Sequence, residues 1–451
     1  MPLNEGQTVQ YTVITTRVAD GTVLYWKTTG NTTNSDIVGG NTGSVTITNN
    51  QGVFNVTTSA DVNTDGTKTL GIALSTGSIS GPTVGQTTNP ITVNDTSLSP
   101  ESRLFSWGLG GYGNLGLNDT TYKSSPTQVG TDGTWNLISS GVYNSIATKT
   151  DGTLWSWGRN NEGHLGLNDT FDRSSPVQVG STTNWNQVSI NDRSAMATKT
   201  DGTLWLWGRN NYGQLGVNDR VTKSSPTQVG TGTNWNLIST SRYSTRATKT
   251  DGTLWTWGYN VYGQLGTNDI VNRSSPTQVG TGTTWSLVSA GYYNTLAIKT
   301  DGTLWSWGFN NSGQLGINNR VDRSSPVQIG TDTTWSRISV GTSAAIATKT
   351  DGTLWTWGRN DIGQLGQNDV VLRSSPTQIG SATNWNLVSF SNYACTATKT
   401  DGTLWSWGFN NQGQLGQNDV VRRSSPTQIG SATNWSKISY GKYSVLATAT
   451  N

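Results

Sequence analysis

The sequence predicts an all-β chain: an N-terminal β-sandwich followed by a seven-bladed β-propeller closed by pairing of its first and last strands. Three observations carry this expectation. Of 451 residues, 32% are hydrophobic and 12% charged, with Gly, Thr, Ser and Asn filling the difference. β-Branched and small polar residues favour strands and turns over helices. A unit of 50 residues recurs from residue 101 to the end without insertion or deletion, the mark of a repeat architecture. Finally, 20 of the 21 Trp fall inside that repeat, so a core poor in aliphatic side chains is built largely from indole rings.

The first element is the stretch 1–98. Strand signals run over 9–15, 23–28, 44–48, 53–57, 70–74 and 91–93. Turn signals at Asp20-Gly21, Gly39-Gly40 and Asp65-Gly66 separate them, a spacing that suits a small sandwich. Asn4-Glu5-Gly6 together with Val93-Asn94-Asp95-Thr96 resembles a Calx-β module (Ig-like in architecture), and more closely the versions found in cyanophage virion proteins. That resemblance implies calcium held by acidic residues at strand ends, here Glu5, Asp36, Asp61, Asp65 and Asp95. Lys68 stands where the family carries an acid, and calcium needs six to eight oxygens. Solvated loop carboxylates are the alternative reading of the same residues.

A short linker, 99–102, leads into the propeller, 103–451. Asp-Gly-Thr-Leu-Trp begins at 151, 201, 251, 301, 351 and 401, and Ser-Ser-Pro ends at Pro126 and every 50 residues thereafter. Each unit reads as four strands. In the second copy these are 153–157; 176–179, with Pro176 at the first position, where proline is tolerated; 185–190; and 195–200. The loop 158–175 carries Gly163, Gly166 and an Asn168-Asp169 turn signal, and Asp201-Gly202 reads as a two-residue hairpin. The repeat opens with a lone first strand, 103–107, and ends with a lone fourth strand, 444–450. Pairing these two leaves no exposed edge.

The string Leu-Trp-Ser-Trp-Gly-Phe-Asn-Asn-Ser-Gly-Gln-Leu-Gly at 304–316 resembles the signature of the regulator of chromosome condensation family of seven-bladed propellers, over all of 101–451. That family usually has a His entering the fourth strand; here the positions hold Asn144, Ser194, Ser244, Asn294, Ala344, Ala394 and Ser444. Guanine-nucleotide exchange is the activity of the name-giving member. Seven uniform units without an inserted wedge speak against it, and fold alone does not carry function.

Comparison among the copies locates a candidate binding face. Strand directions put the loops after each first strand and the turns between third and fourth strands on one face. The Asp-Gly turns lie on the other, where Lys-Thr-Asp-Gly-Thr hardly varies. The first face does vary, and it is rich in Tyr and Arg: Tyr143, Arg193, Arg242, Tyr243, Tyr292, Tyr293, Tyr393 and Tyr443 in the turns, and Arg159, Arg209, Tyr259, Phe309, Arg359 and Phe409 in the loops. Such side chains on loops held by a rigid scaffold suit recognition, by stacking and by directional hydrogen bonds. Random drift of unconstrained loops is the competing reading.

Several chemistries are excluded. One Cys, Cys395, leaves no intramolecular disulfide or cysteine zinc site, and one His, His164, leaves no multi-histidine metal site. His164 replaces a Gln and reads as a loop variant; Cys395 reads as a packed strand residue; Asp119, Asp169, Asp219, Asp269, Asp369 and Asp419 read as loop caps. The formal charge of +3 is too small and too dispersed for a nucleic-acid footprint. No apolar run reaches the length of a membrane span, and the first residues lack the pattern of a secretory signal.

The expectation is therefore a non-enzyme, with no cofactor beyond possible calcium. The best reading is a phage virion structural protein, a tail or head appendage assembled in the host cytoplasm. Its partners would be other virion proteins through the N-terminal domain and a host-surface glycan or protein through the propeller, with no nucleic acid and no membrane insertion; a homo-oligomer is possible. A bacterial surface adhesin or secreted protein-binding propeller is the alternative.

Overall fold

The computed structural model describes residues 3–4, 7–15, 18–30, 37–59, 68–86, 91–94, 101–391 and 393–450. The chain divides into two compact units, Met1–Glu101 and Ser102–Asn451.

In the first unit one sheet runs in the order Leu3–Asn4, Ile91–Asn94, Lys68–Thr76, Val23–Gly30, Thr42–Thr46, with Thr83–Gln86 also pairing to Lys68–Thr76. Thr8–Ile14 and Gln51–Thr57 form a second, two-stranded sheet. Their alternating side chains meet in an aromatic core, where Phe54 stacks on Trp26 at 4.8 Å and on Tyr11 at 5.5 Å between ring centroids. Leu3–Asn4 and Thr83–Gln86 are strands the sequence does not announce. The Asp65-Gly66 turn lies outside the described residues.

The second unit is seven four-stranded antiparallel sheets arranged as the blades of a propeller. The first blade runs outward as Trp135–Ser140, Asn144–Lys149, Leu154–Gly158 and Arg173–Gln178. A structural blade thus begins at the third strand of the sequence unit. The last blade takes Trp435–Tyr440 and Ser444–Thr450 from the end of the chain and Ser102–Gly108 and Lys123–Gln128 from the start of the region. Ser444–Thr450 pairs with Ser102–Gly108 along its whole length.

The recurring motif has a local cause. Asp151 Oδ1 accepts from the Thr153 backbone N–H at 2.9 Å and from its hydroxyl at 2.7 Å. Thr153 Oγ1 in turn accepts from Trp155 Nε1 at 2.8 Å. The turn is one residue longer than an Asp-Gly hairpin of two. Lys149 N–H bonds Thr153 O and Gly152 N–H bonds Lys149 O, so Thr150, Asp151 and Gly152 form the loop. Only Gly152 has positive φ, +76°, and a two-residue type I′ turn needs two such residues.

Pro176 also departs from its expected place. It is the fourth residue of Arg173–Gln178, not the first. That strand is the outer edge of the blade, and the ladder is irregular beside it, between Ser156 and Gly158. A missing N–H is tolerated there.

Two bonds per blade knit the ring. The second Trp of each motif is fully buried and donates Nε1–H to a carbonyl in the loop of the preceding blade: Trp157 to Asn114 O at 3.1 Å, Trp207 to His164 O at 3.0 Å, and so round to Trp107 and Gln414 O at 3.1 Å. Gly166 must be glycine for this packing. A Cβ there would sit 2.7 Å from Trp207 Nε1, and φ is +76°. On the innermost strands, Ser139 Oγ accepts from Ile190 N at 3.0 Å. The same bond recurs at every blade until Ser439 Oγ accepts from Ser140 N at 2.9 Å. These inner strands line a central channel.

Candidate functional site

The turns between third and fourth strands surround one mouth of the channel. Their last residues, in ring order, are Tyr143, Arg193, Tyr243, Tyr293, Ser343, Tyr393 and Tyr443. Where two of these phenols are one blade apart, their rings stack roughly face to face around the mouth. Tyr243 and Tyr293 are stacked at 5.9 Å, Tyr143 and Tyr443 at 5.9 Å, and Tyr443 and Tyr393 at 6.5 Å.

Arg193 and Ser343 break the ring into two aromatic groups, and the loops after the first strands extend each. One joins Tyr143, Tyr393, Tyr443 and Phe409 with Tyr112; Arg159 lies over Tyr112 at 4.9 Å and Lys442 over Tyr443 at 4.9 Å. The other joins Tyr243, Tyr259, Tyr292, Tyr293 and Phe309 with Tyr212 and Tyr262. Most of these side chains are half-buried against one another, as expected of rigid aromatic anchors.

Between the two groups lies an ionic cluster. Arg193 bonds Glu162 at 3.2 Å and Asp192 at 3.2 Å, and Arg242 forms an ion pair with Asp192 at 3.1 Å. Arg209 approaches Glu162 at 3.8 Å. A cavity at the mouth is lined by Tyr143, Tyr292, Arg159, Arg193, Arg242 and Lys442, with Asp192 as the acid among them. Arg359 borders the first group, close enough for the Tyr393 phenol to act on it. It is exposed and paired in bidentate fashion with Asp361, at 2.8 and 2.6 Å.

Burial, with the neighbouring phenol of Tyr243, pushes Tyr293 up to about 12. Burial also raises Tyr143 and Tyr259. These phenols are neutral donors at physiological pH. Burial opposes the charge of Lys442, but its hydrogen bond to Tyr443 and the surrounding phenols outweigh that and hold it above the usual lysine range.

The structure places the fourteen side chains picked from the sequence on the face around the mouth, with Arg359 at the rim beside Tyr393 and paired to Asp361. Sequence reasoning missed Tyr112, Glu162, Tyr212 and Tyr262, which occupy one loop position. That position reads Tyr, Glu, Tyr, Tyr, Ser, Ile, Gln through the copies, and this variation could have drawn attention to it. Asp192 and Lys442 were missed as partners of the neighbouring Arg and Tyr.

Glu5, Asp36, Asp61, Asp65 and Asp95 all lie outside the described residues. Among the described residues no group of three or more His, Cys, Asp or Glu could hold a metal ion, and no helix is long and apolar enough to cross a membrane. Cys395 is buried, with Sγ 3.3 Å from Gln364 O. The loop Asp residues act as caps. Asp169 accepts from Phe171 N at 3.1 Å, from Asn160 Nδ2 at 2.9 Å and from Arg173 at 2.5 Å. His164 is a loop variant that is fully buried, with its imidazole against the Arg159 backbone.

The model of the RCC1-like domain matches residues 178–447. The regulator of chromosome condensation (RCC1) repeat matches 101–148 and 151–197, and a second model of that repeat matches 136–163. No curated protein matches the sequence. Among solved structures, yeast RCC1 (Prp20) bound to Kap60 is 19% identical, with a TM-score of 0.70 over 78% of this chain and 89% of that one. Prp20p from Saccharomyces cerevisiae is 20% identical, TM-score 0.69, over 78% and 92%. Human WBSCR16 is 18% identical, TM-score 0.69, over 77% and 98%. At these identities the likeness concerns the fold. With the family model covering more than half of the sequence, the chain belongs to the RCC1-like domain family.

Proposed function

We propose that the propeller is a non-enzymatic recognition module whose aromatic and cationic face engages a protein or glycan surface. The observation that carries this reading is the broken ring of stacked tyrosines at one mouth of the channel, with Arg159, Arg193, Arg242 and Lys442 gathered round a single cavity. Tyr and Arg in a central, partly desolvated patch are the side chains that dominate binding energy at interfaces. The cations favour an acidic partner. Of the similar propellers, one is bound to Kap60 and one is described by its binding to Gsp1p and histones; they are protein binders by the same fold.

The setting we propose is a phage virion, as a tail or head appendage, with the first hundred residues attaching or spacing the propeller as a Calx-β-like sandwich. The resemblance of residues 3–97 to modules of cyanophage virion proteins supports it. A bacterial adhesin is the second reading, since a recognition face serves either.

A glycan and protein array probed with Tyr243→Ala and Tyr293→Ala tests the face. Each variant should lose tenfold or more in affinity with an unchanged melting temperature; binding that survives both sinks the assignment. Mass spectrometry of purified particles tests the setting, and absence of the chain there excludes the virion.

A further inference from the structure

In six of the seven blades, at the end that carries the Asp-Gly turns and away from the tyrosines, the first and third Trp of the repeat flank a lysine. In the second blade Trp185 opens the innermost strand, Lys199 ends the next and Trp205 follows the turn. Lys199 Nζ lies 4.9 Å from the centre of one indole and 4.4 Å from the other. Together with Leu167, Val179 and Pro226, and with Asn168, Gln178, Thr182 and Ser225, they line a cleft between neighbouring blades. Trp185 is 6% exposed and its Nε1 has no hydrogen-bond partner, and the same is true of Trp135, Trp235, Trp285, Trp335 and Trp385. A buried donor left unpaired is costly, and here it recurs at the same place in blade after blade.

The copies differ at one residue of this cleft, and the difference says what fits there. Position 132 and its equivalents read Asp132, Thr182, Gly232, Gly282, Asp332, Ala382 and Ala432. Where the residue is Asp, its carboxylate sits on the lysine: Asp132 on Lys149 at 2.5 Å and Asp332 on Lys349 at 2.8 Å. Lys199, Lys249, Lys299 and Lys399 keep the same perch on two indoles but have no such residue beside them. The turn carboxylate Asp201 is near enough to feel Lys199 but is bonded to Thr203. In the last blade the lysine itself is replaced, by Ala449.

We infer that the four clefts of Lys199, Lys249, Lys299 and Lys399 bind carboxylate-bearing sugar residues, one per cleft. The carboxylate takes the place that Asp132 and Asp332 fill in their own copies. The two indoles that carry the lysine hold its ammonium in place for that carboxylate. The apolar wall of Leu167, Val179 and Pro226 takes the C–H body of the pyranose, while Gln178, Thr182 and Asn168 meet the remaining hydroxyls. A glutamate side chain offers the carboxylate but leaves most of these groups unused. Four sites on one ring suit an acidic polysaccharide held by several residues at once, where avidity multiplies weak single-site binding.

The test follows the indole Nε1–H signals of the full chain by 15N NMR during titration with D-glucuronate, with D-glucose and L-glutamate as parallel arms. Glucuronate should shift four of the seven signals of the third-Trp set, and glucose and glutamate should not. Asp332→Ala, a change at an exposed loop side chain, should add a fifth. Ala382→Asp should remove one, and Lys199→Met should weaken one at least tenfold. The inference fails if no signal responds to glucuronate, if glucose or glutamate does as well, or if the number of responding signals ignores Asp332→Ala and Ala382→Asp. None of these outcomes bears on the tyrosine face, which Tyr243→Ala and Tyr293→Ala address.

Discussion

Burial fixes the behaviour of two side chains that interrupt the repeat. His164 occupies the slot that holds Gln214, Gln264 and Gln314 in later copies, and desolvation lowers it to about 4. Its neutral form is therefore the one that folds. Folded and unfolded values of about 4 and 6.5 mean that stability is complete above pH 6.5 and falls as the pH drops through 6.5 towards 4. The loss should reach about 3 kcal/mol. Urea midpoints at pH 7 and pH 4.5 should show that loss in the native chain and much less of it in His164→Gln. Arg246 is the second case. It is fully buried and bonds Thr295, Ser244 and Ser241 hydroxyls and Gln264 O, with no carboxylate, so burial lowers it to about 9. The equivalent residues are Ile146, Met196, Leu296, Ile346, Thr396 and Leu446. Replacing a buried charge with a well-packed apolar side chain is often stabilising. Arg246→Met should raise the denaturant midpoint by an amount equivalent to about 1–3 kcal/mol.

At the scale of the strand and turn, the serine of each innermost strand has the clearest role. Ser139→Ala leaves the N–H of Ile190, which is 4% exposed, without its acceptor. Stability should fall by about 1–3 kcal/mol, and hydrogen exchange should quicken at Ile190 ahead of its strand neighbours. A variant as protected as the native chain would show that water replaces the hydroxyl. That serine recurs in all seven copies, yet in a sequence it looks like an ordinary polar alternation, because its partner lies 51 residues away. The buried Trp and the Asp-Gly-Thr motif were legible, since an unbroken 50-residue period leaves little else for them to do. Pro176 and the hairpin were misplaced for a related reason: each was judged by its residue type alone, and edge position or one extra loop residue changes what that type can do. The lysine-bearing clefts escaped because a strictly repeated Trp reads as packing. It took the unpaired Nε1 of Trp185 to mark the cleft as something else.

For the whole ring, stability rests on closure. The last blade is built from both ends of the region, and its two halves are joined by the pairing of Ser444–Thr450 with Ser102–Gly108. Deleting residues 441–451 should replace one cooperative calorimetric transition with a lower and broader one, because each blade then leans on neighbours that are no longer held in a circle. An unchanged sharp transition would show that six blades hold their shape as an open arc. The bonds on either side of this blade, Trp107 to Gln414 O towards the blade before it and Ser140 N to Ser439 Oγ towards the first blade, are of the same two kinds that cross every other junction.

That sameness reaches beyond the native state. A newly made chain offers Leu204–Gly208 several partners of similar sequence, since Ser194–Lys199 and Ser244–Lys249 share four of their six residues. A strand captured 50 residues out of register would satisfy nearly all of its local bonds, so short-range chemistry is a poor proofreader here. Only an arrangement of all seven copies in order leaves no blade half made. Refolding should therefore collapse quickly and anneal slowly, with swapped dimers as the characteristic by-product at high concentration.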